Sequence, residues 1–219
     1  MRHINYYSTA TELKSLDGFN HGTTFTKALV GDSSCTLRSY ETRLLLSEYA
    51  NYAVPGLPIF DGEVKRALEA IAPKVDKVFL FPATELHGCC RYNEIDMTKP
   101  WNERWLEFID ADRYCYNGRE YQDTSHYSKL GMTNNYLDFV GGLLTQYPNL
   151  YIVPNGNRWY SERFPQYFGV YETLKSFDRC LNLDWLLPTD LTFWADKQGH
   201  ISHKTFEILK QQIDALTIQ

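Results

Sequence analysis

The feature that most constrains this chain is a nearly unbroken apolar run, VDKVFLF, at residues 75–81. A short run of this kind is typical of a strand buried on both faces, as in a parallel sheet covered by helices. Comparable strand patterns lie at 24–30 and 150–153, and a helical spacing of apolar residues lies between them at 62–71. This alternation predicts an α/β fold with three layers, α/β/α, around a mainly parallel central sheet.

The remaining segments extend this pattern. Asp61 is a predicted helix N-cap, and Pro73 and Pro148 are predicted to end helices. Residues 1–22 form an N-terminal extension, and residues 82–133, rich in Tyr, Gly and Asn, form a long insertion or lid. Because no linker or repeat divides the 219 residues, we predict a single domain. Further strands are predicted at 49–54 and 183–187, and further helices at 37–50, 101–109, 134–147 and 202–216.

The composition argues against several classes of partner. The net charge is −5 and there is no Lys/Arg cluster, so we expect no nucleic-acid binding. No apolar run is long enough to span a membrane, and the N-terminus lacks the apolar core of a signal peptide. Five cysteines are an odd number, which favours free thiols in a reducing compartment and hence a cytoplasmic protein. We predict no cofactor, and the sequence leaves the oligomeric state open.

Short motifs follow the predicted strands in a particular order. Gly31-Asp32-Ser33 comes after the first strand, NYAVPG at 51–56 ends the second, and DKQGH at 196–200 precedes the last helix. With the strands at 75–81 and 150–153 between them, this order resembles the blocks of the SGNH (GDSL-like) hydrolase superfamily. The resemblance runs from about residue 24 to the C-terminus and rests on the order, because a GDS tripeptide is common by chance.

The resemblance implies a flavodoxin-like sheet and a serine-dependent acyl-ester hydrolase or O-acyltransferase. Ser33 would be the nucleophile, which needs a base to take its proton. His200 would be that base, and Asp196 would hold the imidazole in the right tautomer. The backbone N–H groups of Ser33 and Gly56 would face the oxyanion of the tetrahedral intermediate. Acylated carbohydrate is the substrate class suggested by family habit and by the 15% aromatic content.

Three of these assignments have alternative interpretations. Ser33 and Asp32 are also residue types preferred at a helix N-cap, so they could begin the helix that follows. His203 competes with His200 as the base, although Asp196 lies nearer to His200 in the sequence. Gly56 could equally belong to a simple Pro-Gly turn.

Two departures from the family pattern raise a second functional hypothesis. The third block normally supplies Gly and Asn after the third strand, where this chain has PATEL at 82–86. If Glu85 takes the place of that Asn, its carboxylate would repel an oxyanion. Three residues, rather than two, separate Asp196 from His200. The alternative is therefore an inactive SGNH-like domain that binds a glycan or a protein partner, and a third possibility is an unrelated α/β domain such as a nucleotide-sugar transferase.

Other residues were considered as parts of a site. Asn155 and Arg158 follow the strand at 150–153, where open α/β sheets bind ligands; they could line a cleft, with Arg158 meeting an anionic group, or lie in a surface loop. Aromatic residues at 101, 105 and 114–121 could stack on sugar rings or pack a core. No metal is predicted, because the adjacent Cys89 and Cys90 beside His87 do not match the spaced pairs of zinc sites.

Overall fold

The computed structural model describes residues 25–32, 35, 39–53, 62–83, 115–116, 119–120, 129–161, 165–195 and 200–216. The strands are β1 (Lys27–Gly31), β2 (Tyr49–Ala53), β3 (Lys77–Phe81), β4 (Cys115–Tyr116), β5 (Arg119–Glu120) and β6 (Leu150–Ile152). The α-helices are α1 (Tyr40–Leu45), α2 (Gly62–Ile71), α3 (Lys129–Gln146), α4 (Asn155–Ser161), α5 (Pro165–Lys175) and α6 (His203–Ala215). Short 3-10 turns lie at Ala72–Lys74 and Leu191–Phe193.

Four parallel strands form the central sheet in the order β2-β1-β3-β6. Gly31 at the end of β1 stands opposite Ala53 of β2 and Phe81 of β3, and Leu80 stands opposite Ile152 of β6. A parallel bridge between Ile152 and Cys180 continues the sheet beyond β6. The chain moves from β1 out to β2 and then back past β1 to β3, so the order reverses between β1 and β3. The predicted α/β fold with a mainly parallel sheet is confirmed, and open sheets of this kind bind ligands where the order reverses.

Alternate residues of the strands bury opposite faces of the sheet, as the period of a strand requires. On one face, Leu29, Phe79 and Phe81 pack with Phe206, Leu209 and Ile213 of α6. On the other face, residues of β1 and β3 pack with helices α2, α3 and α5; the set is Ala28, Val30, Val78, Leu80, Val64, Leu68, Tyr136, Val140 and Leu174. The sheet is therefore covered on both sides, which gives the predicted three layers.

Gly31 is required by the contact between β1 and β3. A Cβ atom on this residue would lie 2.4 Å from the carbonyl oxygen of Phe81 and 2.8 Å from its Cβ. Distances this short are sterically forbidden, so no larger residue fits without separating the two strands. The first residue of the Gly31-Asp32-Ser33 motif is thus set by the packing of the sheet.

The helix predicted at 37–50 is wrong in its extent. The structure confines α1 to Tyr40–Leu45, and residues 46–48 turn the chain into β2. Tyr40 and Leu44, which were expected to face the core, are 69% and 56% exposed. Leu46, outside the helix, is buried instead.

Two other predicted boundaries need correction. No strand forms at 183–187, where the chain turns; the residue that bridges to β6 is Cys180. Helix α3 begins at Lys129 rather than at 134, so the predicted insertion at 82–133 includes its first turn. The predicted helix at 101–109, the N-cap at Asp61 and the extension at 1–22 lie outside the described residues, and the single-domain assignment stays a prediction. Within the described ranges, no helix has the length and apolar character needed to cross a membrane.

Candidate functional site

The segment after β1 is fixed by hydrogen bonds at its start. Asp32 is buried, and its carbonyl oxygen accepts from the Cys35 amide at 3.3 Å and from the Cys35 thiol at 3.4 Å. The Asn51 side chain, on β2, donates from Nδ2 to the Cys35 carbonyl oxygen at 3.0 Å. Burial, and then the charge of Asp32, raise the pKa of the Cys35 thiol well above its ordinary value. Cys35 therefore stays protonated and is not a competing nucleophile.

The N-cap of α1 is Ser39. Its side chain is 3.1 Å from the Thr42 amide, which donates to Oγ. Because α1 begins only at Tyr40, neither Ser33 nor Asp32 is the N-cap of this helix. Ser33 itself lies outside the described residues.

His200 lies at the end of a closed loop just before α6. Trp194 and Ile201 form an antiparallel bridge, and the Ala195 amide donates to the His200 carbonyl oxygen at 2.7 Å. His200 is buried. In the sequence Asp196 follows Ala195 directly, so it is adjacent to the residue that pairs with His200, although it lies outside the described residues. The backbones of Ala195 and His200 are thus joined by a hydrogen bond. The three residues that separate Asp196 from His200, where the family has two, fall between these joined positions.

His203 has its two ring nitrogens occupied. Its Nδ1 is 3.0 Å from Thr42 Oγ1, and its Nε2 is 3.4 Å from a Glu207 carboxylate oxygen. The contact with Thr42 joins the first turn of α6 to α1, the helix that follows β1.

Asn155 has an unusual environment after β6. The segment at 155–160, considered as a possible surface loop, belongs instead to helix α4, and Asn155 is 0% exposed. Among the residues that the structure describes, neither Nδ2 nor Oδ1 of its buried carboxamide has a hydrogen-bond partner. Nearby in sequence, buried Asn157 accepts a hydrogen bond from the Tyr136 hydroxyl at 3.0 Å. A buried amide without partners is costly, so its position at the carboxyl edge needs an explanation.

Arg158 is oriented inward. Its guanidinium donates to the Leu183 carbonyl oxygen at 3.3 Å, to Ser161 Oγ at 3.0 Å and to the Asp184 carbonyl oxygen at 3.5 Å. It also lies over the Tyr171 ring, with Cζ 5.5 Å from the centroid. These contacts attach α4 to the chain at 183–184 and favour a structural role over the predicted contact with an anionic group.

The other predicted site residues lie outside the described part of the chain. They are Ser33, Gly56, Glu85 and Asp196 from the SGNH-like blocks, His87, Cys89 and Cys90, and the aromatic residues at 101 and 105. Among the residues that the structure describes, no group of three or more His, Cys, Asp or Glu side chains could hold a metal ion.

Sequence reasoning missed Thr42, Cys35 and Asn51. Ser39 followed by an acidic residue in the next turn is a helix-start pattern that would have placed the start of α1 correctly. No local pattern indicates the pairing of Thr42 with His203, because 161 positions separate them.

Comparisons with known proteins give two solved structures. No family model matches the chain, and no curated protein matches it. One structure, described as "a putative platelet activating factor from Streptococcus pneumonia", has a TM-score of 0.40 and 14% identity, over 95% of this chain and 99% of that one. The other, a lipase/acylhydrolase from Enterococcus faecalis, has a TM-score of 0.44 and 15% identity, over 85% of this chain and 92% of that one. The architecture of this chain rests on the strand order described above.

Proposed function

We propose that this chain is a serine hydrolase of the SGNH type, which cleaves an acyl ester or transfers its acyl group to a hydroxyl acceptor. Ser33 is the nucleophile, His200 the base and Asp196 the residue that orients it. The observation that carries the proposal is the contact of Thr42 with His203, which joins the start of α6 to α1, the helix that follows β1. This contact supports the proposal that the motif containing Ser33 lies close to His200.

The proposed reaction proceeds in two halves. Ser33 Oγ attacks the ester carbonyl carbon while His200 accepts its proton, and the carbonyl oxygen becomes an oxyanion. The C–O bond to the leaving alcohol then breaks, and His200 returns the proton to that alcohol. In the second half, water or an acceptor hydroxyl attacks the acyl-serine, again with His200 as base, and Ser33 is regenerated. Asp196 stabilises the imidazolium that forms in each half.

The oxyanion needs donors that are already aimed at it. The backbone N–H groups of Ser33 and Gly56 are the proposed pair, and Glu85 is turned away or protonated in an active enzyme. Asn155 is proposed to contribute its carboxamide to a polar group of the substrate, because both of its polar atoms are buried without partners. Asp32 is proposed to shape the turn that presents Ser33, since its carbonyl oxygen holds Cys35.

The proposal also names a substrate class and a cellular compartment. We expect the substrate to be an acylated carbohydrate and the compartment to be the cytoplasm. Cys35 and Cys180 are free thiols among the described residues, which supports a reducing compartment. Burial raises the pKa of Cys180 to about 12, so this thiol is unreactive as well.

The proposal is tested with p-nitrophenyl acetate and a fluorophosphonate probe. We expect the wild type to turn over the ester and to be labelled, and Ser33→Ala to abolish both. Ser34→Ala is the matched control and should keep both activities. His200→Gln should lower turnover by at least about a thousandfold, because members of one relay act as a unit.

Two results would contradict this function. One is equal turnover in the wild type and Ser33→Ala; the other is a wild type that is neither labelled nor active. In the second case, binding of acetylated and deacetylated oligosaccharides, measured by calorimetry, would test the alternative of a non-catalytic glycan-binding domain.

A further inference from the structure

A chain of hydrogen-bonded side chains crosses from α1 to α6. Ser39 Oγ and Thr42 Oγ1 lie 2.9 Å apart, and Thr42 Oγ1 and His203 Nδ1 lie 3.0 Å apart. On its far side, His203 Nε2 lies 3.4 Å from Glu207 on the next turn of α6. Thr42 is 3% exposed, so the middle of this series of hydrogen bonds is shielded from solvent. We call these four residues the α1–α6 clamp.

The clamp connects the two segments that matter for the proposed relay. Ser39 ends the connection between β1 and α1, which contains Ser33, and His203 follows His200 by three positions. The other end of each segment is also fixed: Cys35 is held to Asp32 and β2, and His200 is held to Ala195. Among the described residues, the clamp is therefore one of the contacts that set one segment against the other, together with the packing of Cys35 in the same core cluster as Ile201 and Phe206.

The chemistry of His203 suits a holding role and not a proton relay. With a proton on Nε2, the ring donates to Glu207 and Nδ1 accepts from the Thr42 hydroxyl. When the ring is protonated, Nδ1 donates to Thr42 Oγ1, and the Thr42 hydroxyl turns to Ser39 Oγ. Both states keep both contacts.

The carboxylates around the clamp are Glu207 and, on α1, Glu41. The pKa of Glu41 is lowered by its own backbone amide, then by Ser39, and to a smaller extent by His203. Glu207 accepts from Nε2–H in both of the states described above, so the contact with Thr42 does not depend on the charge of the ring.

We propose that His203 and Thr42 are positioning residues, which set the distance between Ser33 and His200 without contacting the substrate. This inference rests on the proposed function. It gives His203 a role other than that of the competing base, because Nδ1 contacts the buried Thr42 hydroxyl on α1 and Nε2 contacts Glu207 on α6. A displacement of about 1 Å in a catalytic group can lower the rate by about a hundredfold, so a lost clamp should be visible in kcat.

Two pairs of variants test the clamp. Thr42→Val keeps the shape of the side chain and removes the hydroxyl, whereas Thr42→Ser keeps the hydroxyl. His203→Leu removes both nitrogens, whereas His203→Asn keeps a polar atom near the position of Nδ1 and cannot act as a base. Lys204→Ala is the control on the same turn, because Lys204 contacts Thr192 and not α1.

The expected readouts separate positioning from stability and from general base catalysis. Thr42→Val and His203→Leu should lower kcat by roughly ten- to a hundredfold with KM changed less than about threefold. Thr42→Ser and His203→Asn should recover most of this loss and keep the wild-type pH profile, and Lys204→Ala should match the wild type. The double variant Thr42→Val/His203→Leu should lose little more than either single one. Thermal unfolding shows whether each variant is folded.

Several outcomes would overturn the inference. Unchanged kcat in a folded Thr42→Val or His203→Leu would exclude positioning. Loss of activity in His203→Asn as severe as in His200→Gln would make His203 a base instead. If the wild type shows no Ser33-dependent turnover, the proposed function fails and this role with it, whereas Ser33-dependent turnover with an indifferent Thr42→Val rejects the clamp alone.

Discussion

Asn155 shows how a single residue can be at odds with the core that surrounds it. Its side chain is 0% exposed, yet neither polar atom has a hydrogen-bond partner in the described part of the chain. By contrast, neighbouring Asn157 is satisfied by the Tyr136 hydroxyl. Leaving a buried polar group unpaired costs roughly 1–3 kcal/mol, so a residue retained under that cost is expected to serve the site.

We predict that Asn155→Leu raises the free energy of unfolding by about 1 kcal/mol or more and lowers kcat/KM for the ester. The gain arises because an apolar side chain of similar size needs no partner, and the loss because a substrate contact is removed. Urea unfolding and ester turnover measure the two effects, with Asn157→Leu as a control that should destabilise by breaking the bond to Tyr136. A destabilised Asn155→Leu with normal activity would assign the amide a structural role.

At the residue scale the sequence distinguishes little between His200 and His203. Both stand before or in the last helix, and only the nearby Asp196 favoured His200. The structure separates them through contacts that no local pattern carries, because His203 reaches across to Thr42. Gly31 is a different case: it entered the sequence analysis only as the first residue of the Gly31-Asp32-Ser33 motif, and the position of Phe81 explains why this residue is glycine.

The elements differ from the sequence-based prediction mainly where packing overrides local preference. Leu44, Leu45 and Leu46 continue a helical pattern, so the sequence predicted a helix through 50, but the chain turns at 46–48 to place Tyr49 in β2. Asn155-Gly156-Asn157 favours a loop, yet a helix forms there because Arg158 and Trp159 are buried. In contrast, α2 follows its prediction from Gly62 to Ile71, since its apolar face is unambiguous.

Arg179 joins two elements that local sequence cannot connect. Its guanidinium donates to the carbonyl oxygens of Tyr147 and Leu150 at 2.7 and 3.2 Å, and also to that of Leu144. It thereby satisfies carbonyl groups at the C-terminal end of α3 and at the start of β6. The planar group has several donors in fixed directions, which an ammonium group lacks.

We predict that Arg179→Met lowers the free energy of unfolding by roughly 1.5–3 kcal/mol, the usual range for hydrogen bonds from a charged donor. Met keeps the apolar stem but leaves the three carbonyl groups without this donor. Arg179→Lys should recover only part of the loss. Urea unfolding of the three proteins measures these differences, and equal stability of Arg179→Met and the wild type would show that the contacts contribute nothing.

At the scale of the whole molecule, α6 is attached to the rest of the fold at both of its ends. Its first turn contacts α1 through His203. Its last turn contacts the start of β1, because Asp214 accepts from Lys27 and from Lys210 at 2.6 Å each and from the Tyr49 hydroxyl at 3.3 Å. Lys210 also pairs with Glu48 at 2.9 Å. The charged network at the last turn of α6 and the α1–α6 clamp at its first turn hold the helix along the strands.

The charged network predicts a pH dependence of stability. Burial acts to raise the pKa of Asp214, but hydrogen bonds from Lys210 and Lys27 outweigh it and hold the pKa below its ordinary value. A carboxylate of this kind stabilises the fold above its unfolded pKa of about 3.9, and the contribution disappears as the pH falls through the folded pKa.

We therefore expect Asp214→Asn to lower the free energy of unfolding at pH 7 by about 1 kcal/mol or less, because the pair is partly exposed and screened. The difference from the wild type should shrink between about pH 4 and pH 2, and also at high salt. Urea unfolding across this pH range measures it, with the exposed Asp138→Asn as control. A difference that grows as the pH falls would contradict the assigned sign.

The architecture followed from the sequence because three apolar strand patterns and the helices between them leave few arrangements for a parallel sheet. The four parallel strands of the central sheet agree with that expectation. The contacts that join these segments could not be predicted, since Thr42 with His203 and Lys27 with Asp214 each link residues more than a hundred positions apart.

The hydrogen bond that closes Ala195 onto His200 has an evolutionary consequence. Residues can be gained or lost at 196–199 while the backbone of the imidazole-bearing residue stays anchored to Trp194 and Ala195 through Ile201 and His200. The sequence between these two hydrogen-bonded ends can therefore vary without displacing His200. Relatives of this chain are free to differ there in length and in which position carries the carboxylate, provided that the Trp194–Ile201 bridge and the Ala195–His200 hydrogen bond are preserved.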